Sequence, residues 1–130
     1  MKVEFTMSVR GVGGVFFKSK DLKKLQEWYV ENLGLNPDEG GYIYFKWSEL
    51  REPGYTLWGP FPEDTKYFNP SDSTWMINFV VDDIDKMVSR LREKHVEIDE
   101  RGIQETEEGK FAWFIDLEGN KIELWEPTDK

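Results

Sequence analysis

The chain has no cysteine and a single histidine among its 130 residues. The first absence removes disulfides, thiolate metal sites and a cysteine nucleophile, and it fits a reducing cytoplasm. The second leaves little for a histidine-built metal centre. No apolar run approaches the roughly 18 residues that a membrane-spanning helix needs, so no membrane partner is expected. Met1-Lys-Val-Glu-Phe-Thr carries charge within its apolar stretch and no small-residue cleavage site, which reads against a secretory signal. Positive charge is scarce: 17 Lys and Arg face 26 Asp and Glu, a net −9 that disfavours nucleic acid. No glycine-rich phosphate loop precedes a helix. Gly11-Val-Gly-Gly14 enters a strand instead and presents no helix N-terminus to an anion.

Aromatic residues, by contrast, make up 15% of the chain, with 6 Trp and 9 Phe. They suit either an aromatic-lined cavity or a heavily aromatic core. The chain also repeats itself. Gly14-Val-Phe-Phe-Lys-Ser-Lys-Asp-Leu is echoed by Met76-Ile-Asn-Phe-Val-Val-Asp-Asp-Ile, and Tyr55-Thr-Leu-Trp-Gly-Pro by Ile122-Glu-Leu-Trp-Glu-Pro. The offset is 62 residues at Asp21 and Asp83, and 67 at Trp58 and Trp125. Duplication places equivalent positions of two halves around one shared concavity.

Residues 12–18 read as a strand. Asp21 is a helix N-cap, and Leu22, Leu25, Trp28, Tyr29 and Leu33 form one helical stripe that ends at Gly34. Tyr42–Trp47 and Tyr55–Trp58 read as strands around the turn Glu52-Pro-Gly. Residues 60–72 hold three prolines and form a linker, with Asp64–Ser71 either a lid or a plain connector. The second half has strands at Trp75–Val81, Val96–Ile98, Phe111–Ile115 and Lys121–Trp125. Asp83 caps a helix whose apolar face is Ile84, Met87, Val88 and Leu91, and Asp116-Leu-Glu-Gly-Asn forms a turn. Residues 3–9 are a candidate edge strand. The expectation is one α+β domain over 1–130: a βαβββ module at about 10–61, a linker at about 62–72 and a second module at about 73–127.

Alternate residues of a strand face opposite ways. Ile77, Phe79, Val81, Ile122 and Leu124 should therefore pack on the helices. Met76, Asn78, Glu123 and Trp125 should face the concavity, joined through the repeat by Gly14, Phe16, Thr56 and Trp58. Trp58, Trp113, Trp125, Phe16 and Tyr44 are candidate walls for a planar ligand, or core and dimer packing. Glu123, directed into apolar surroundings, is the candidate acid or base, with Glu107 beside a strand start as a weaker helper. His95 ends the second helix, where a solvated cation suits the helix dipole.

Two βαβββ modules, the run Val80-Val-Asp-Asp-Ile-Asp and the closing Asp116-Leu-Glu-Gly-Asn-Lys-Ile-Glu-Leu-Trp-Glu-Pro127 resemble the glyoxalase, bleomycin-resistance and dioxygenase superfamily. The resemblance covers about residues 10–127. It implies a curved mixed-sheet cleft, homodimers with module exchange possible, and, in metal-dependent members, four ligands on the concave face. The matching positions here are Gly14, Thr56, Met76 and Glu123. Glycine has no side chain, threonine is a poor ligand and methionine suits soft metals. No divalent metal or other cofactor is therefore expected. The leading reading is metal-free binding of a small apolar or aromatic molecule in the cleft. The alternatives are a metal-independent lyase or isomerase working through Glu123, and a catalytically inactive dimerising module.

Overall fold

Two amphipathic helices and one mixed sheet carry the fold in the computed structural model, which describes residues 9–50 and 54–128. Helix α1 spans Leu22–Leu33. Its Asp21 side chain accepts the Lys24 N–H at 3.2 Å, and Gly34 closes it at φ 73°, a left-handed turn that only glycine makes without strain. Helix α2 spans Ile84–Glu93. Asp83 accepts the Lys86 N–H at 3.0 Å, and His95, exposed and at φ 62°, follows its C-terminus. Both caps and both helix ends lie where the sequence puts them.

The sheet has the order β1-β4-β3-β2, with β1 at Ile77–Val80, β2 at Gln104–Thr106, β3 at Gly109–Ile115 and β4 at Lys121–Pro127. β1 runs parallel to β4, pairing Asn78 with Glu123, and β3 runs antiparallel to β4, pairing Trp113 with Glu123. One face carries Ala112, Phe114, Ile122 and Leu124. Onto it Ile84, Val88 and Leu91 of α2 pack, and all seven are buried together. This is the division of faces that strand alternation predicts. Helix α1 joins through aromatic contacts, Trp28 to Phe114 at 6.0 Å and Tyr29 to Phe79 at 6.2 Å.

The turn 116–120 fastens α1 to the sheet. Tyr29 donates its hydroxyl to Asp116 Oδ2 at 2.7 Å. Glu118 accepts from the Ser19 hydroxyl and from the Lys20 and Asp21 N–H groups, at 2.8–3.1 Å. The closing sequence motif is thus a clamp that holds the entry of the first helix.

The first half departs from expectation. Residues 12–18, 42–46 and 55–58 form no strand, and Trp47–Glu49 is one turn of 3-10 helix. The physical reason is lack of partners. Phe16 is 89% exposed and Trp58 81%, and Val15, Tyr42, Tyr44 and Leu57 are exposed too, so these segments meet the second half only through single rings such as Phe17 on Trp75 and Phe45 on Phe79. A strand without a ladder and without burial has nothing to offset its lost chain entropy. In place of the expected tandem pair of βαβββ modules, the described residues form two helices and one four-stranded mixed sheet drawn from the second half. Within that half, Val96–Ile98 contracts to an isolated bridge between Ile98 and Phe114, and β2 was not foreseen. The candidate edge strand at 3–9 and the turn at Glu52-Pro53 lie outside the described residues, Val9 and Gly54 excepted.

Candidate ligand-binding site

The sheet face turned away from α2 carries the chemistry. The pairing register puts Asn78 of β1, Trp113 of β3 and Glu123 of β4 side by side on it, with Lys121 and Trp125 two residues either side of Glu123. Glu123 is buried, and both oxygens of its carboxylate are engaged. Asn78 Nδ2 donates to Oε1 at 2.7 Å. Trp113 Nε1 donates to Oε2 at 2.9 Å, and the Tyr67 hydroxyl donates to the same oxygen at 2.5 Å. A buried carboxylate persists only with such partners.

The linker closes over this face. Tyr67 meets Trp113 edge-on with ring centroids 6.2 Å apart, Phe61 stacks on Tyr67 at 5.5 Å, and Tyr55 lies 5.3 Å from Trp125. Burial and the Glu123 carboxylate push the Tyr67 pKa up to about 12. Lys121 is only 3% exposed. It donates to the Tyr67 carbonyl at 2.7 Å and pairs with Asp99 at 3.7 Å. Burial, followed by the neighbouring Arg101 charge, lowers its pKa. The Arg101 guanidinium covers the Trp113 ring at 3.8 Å, a cation–π geometry. Beside these groups opens a cavity of about 630 Å³ lined by Tyr67, Trp113 and Pro70 and by the charged residues Lys66, Glu97, Asp99, Glu100, Arg101 and Lys121. A second cavity, about 460 Å³, lies between Leu50, Val80 and the start of α2.

Of the residues chosen from sequence, Asn78, Trp113, Glu123 and Trp125 come together on this face. Met76 is half-buried just before β1. Phe16, Thr56 and Trp58 are exposed on segments without regular structure, and Gly14 is exposed as well. Glu107 is exposed in the β2–β3 turn, away from the Glu123 cluster of hydrogen bonds. Of the four family ligand positions, Glu123 alone offers a carboxylate, and both its oxygens already hold protein donors. That set does not fit a divalent ion. Among the described residues one acidic group converges elsewhere: Asp83, Asp85 and Glu126 at the start of α2. Each has a protein partner there: Lys86 N–H for Asp83, Lys110 for Asp85 and Ile84 N–H for Glu126.

Three residues of the site escaped the sequence reading. Lys121 was accessible to it, because period-two alternation sets it on the face of Glu123. Tyr67 lay inside the segment weighed as lid or connector, but nothing singled out its hydroxyl. Arg101 had no signal at all, since its position depends on an irregular turn held by Asp99, which its Nε reaches at 3.1 Å.

The chain belongs to the glyoxalase/bleomycin resistance protein/dioxygenase superfamily, whose profile matches residues 14–124. Among solved structures it is similar to TnmS3, an antibiotic binding protein from Streptomyces sp. CB03234. Identity is 25% over 94% of this chain and 99% of that one, with a TM-score of 0.59. It is also similar in fold to a glyoxylase/bleomycin resistance protein/dioxygenase domain from Frankia sp. EAN1pec (19% identity, 93% and 100% coverage, TM-score 0.57). A third likeness is an integron cassette protein from V. cholerae (15% identity, 95% and 100% coverage, TM-score 0.58). No curated protein matches the chain.

Proposed function

We propose that this protein binds a small, planar aromatic molecule on the sheet face around Trp113 and Glu123, without the superfamily's divalent metal. The observation that carries this reading is the cavity of about 630 Å³ opening against Tyr67 and Trp113. Its volume suits a small ligand, and its indole and phenol walls suit a flat one. The likeness to an antibiotic binding protein over nearly the whole chain supports the same class of function. Sequestration of a toxic small molecule is one form it takes. The metal-free part rests on the donor set, because Gly14, Thr56 and Met76 give no hard ligand and Glu123 is engaged. The enzyme reading has less support, since Glu123 has no oxygen free of a protein donor and Glu107 is solvated.

A homodimer belongs to the same proposal. The first-half segments 12–18, 42–47 and 55–58 gain partners from a second copy and complete the first βαβββ module on pairing. The support is their exposed apolar surface, which isolated soluble chains rarely carry in quantity. A cytoplasmic setting fits the cysteine-free, acidic composition. Among the described residues no helix is long and apolar enough to cross a membrane.

Tryptophan fluorescence tests the binding reading. Planar aromatic probes should quench the intrinsic emission in a saturable way, and Trp113→Ala should abolish most of that quenching. Saturable binding undiminished in Trp113→Ala would move the ligand off this face. Metal analysis of protein purified without chelator tests the remaining part, and a stoichiometric divalent ion would overturn it.

A further inference from the structure

Tyr67 stands on a segment with no regular structure, yet its side chain meets a complete set of partners. Its hydroxyl donates to Glu123 Oε2 at 2.5 Å and shares, at 3.2 Å, the single Trp113 Nε1–H whose shorter bond goes to Glu123 at 2.9 Å. Phe61 stacks on its ring at 24°, and Arg101 and Lys121 lie 5.8 and 5.2 Å from the ring centroid. An acceptor for the O–H, a donor to the oxygen, a stacked ring and cations on the π-face together cover the recognition chemistry of a phenol. Trp113 and Glu123 are fixed by the β3–β4 register and buried, so this half of the nest is built into the sheet. Tyr67 is only half-buried and reaches it from the linker.

We infer that the Glu123–Trp113 pair is a phenol subsite, filled by the protein's own Tyr67 until a hydroxyl-bearing planar aromatic ligand displaces it. The inference rests on the binding reading above and names its ligand class. A carboxylate is disfavoured at this point, because facing Glu123 it brings like charges together unless one of the two takes up a proton. A bare hydrocarbon is disfavoured too, because displacing Tyr67 would strip a hydrogen bond from a buried carboxylate and return none. A phenol restores it. The exchange needs little backbone motion. Lys121 grips the Tyr67 carbonyl at 2.7 Å, and the cavity of about 630 Å³ lies along the same side chain, so the ring turns out while the linker stays docked.

The test compares β-naphthol with its methyl ether by fluorescence titration and calorimetry, on the full chain and on Tyr67→Ala, Tyr67→Phe and Glu123→Gln, each checked by circular dichroism. The hydroxyl donates to a charged group, so β-naphthol should bind about tenfold or more tightly than the ether. Tyr67→Ala should tighten β-naphthol by about tenfold, because the internal competitor is gone. Tyr67→Phe, which keeps the ring and the packing, should move affinity in the same direction. Glu123→Gln, which keeps an acceptor oxygen but loses its charge, should shrink the preference for the hydroxyl several-fold. Equal binding of the two naphthalenes, or weaker β-naphthol binding in both Tyr67 variants, would sink the phenol subsite and leave the binding reading standing. Failure of both probes to bind any variant would sink the two together.

Discussion

Asp116 is buried and accepts four hydrogen bonds: Tyr29 hydroxyl and Asn120 Nδ2 on Oδ2, and the Glu118 and Asn120 N–H groups on Oδ1. Removing it strands the buried Tyr29 hydroxyl and loosens the turn that anchors α1. Asp116→Ala should therefore cost about 3 kcal/mol, and Tyr29→Phe, which deletes one bond and strands little, about 1 kcal/mol. Urea denaturation midpoints separate the two. The other decisive residue is Tyr67, whose pKa of about 12 lies above its ordinary 10.0. A raised tyrosine pKa means that the unfolded chain sheds the proton first. The stabilisation is fully present below about pH 10 and is lost as pH rises through about 12. The stability gap between the parent protein and Tyr67→Phe should accordingly shrink over that interval, and Tyr67→Phe should lose one late-ionising phenol from the absorbance titration. A gap that stays constant across the interval would mean that Tyr67 does not hold its bond to Glu123 in solution.

Elements show which parts of the fold local rules could supply. Asp21 and Asp83 cap their helices through the third residue beyond, and the apolar faces of α1 and α2 are the ones their periodicity marks, except that Leu22, in the first turn of α1, is exposed. Capping and periodicity act within a few residues, so sequence carries them. The alternation of β1 and β4 is equally local, and it set Asn78, Glu123 and Trp125 on one face. Strands 12–18 and 55–58 failed for the complementary reason: a strand is a property of a pair, and the partner is not local. Tyr67 and Arg101 were invisible on the same ground, since irregular segments take their places from tertiary contacts. Glycine illustrates the distinction between local and non-local demands. Gly119 takes φ 84° with open space where a Cβ would stand, so Gly119→Ala should cost only the left-handed strain, about 1 kcal/mol. Gly109, at φ 133°, starts β3 opposite Pro127, and a Cβ there would drive into the Glu126 carbonyl and come within 3.0 Å of Pro127 Cα. Gly109→Ala must part the β3–β4 ladder at its end and should cost about 3 kcal/mol. Thermal melts that rank the two alanines equally would contradict this account of the hairpin.

At the scale of the whole molecule, the two halves share one sequence plan and differ in what they bury. The second half has a paired sheet over a closed core. The first offers α1 to that core and leaves Phe16, Tyr44, Trp47, Leu57 and Trp58 to solvent. Apolar area of that kind favours association by about 25 cal/mol for each Å² removed from water, and the same segments repeat sequences that form β1 and β4 in the other half. On the proposed pairing, a second copy of the chain would meet both needs at once, covering the aromatics and supplying strand edges. Sedimentation should therefore give the mass of two chains. Phe16→Glu or Trp58→Glu places a charge in that interface and should shift the mass toward one chain. Monomerisation should lower the strand signal in circular dichroism and leave the helical signal intact, because Glu118 and Asp116 hold α1 and the buried core holds α2 within one chain. A parent protein that sediments as a single chain at high concentration would exclude this pairing, and the first-half segments would then have to be ordered by something other than a second copy.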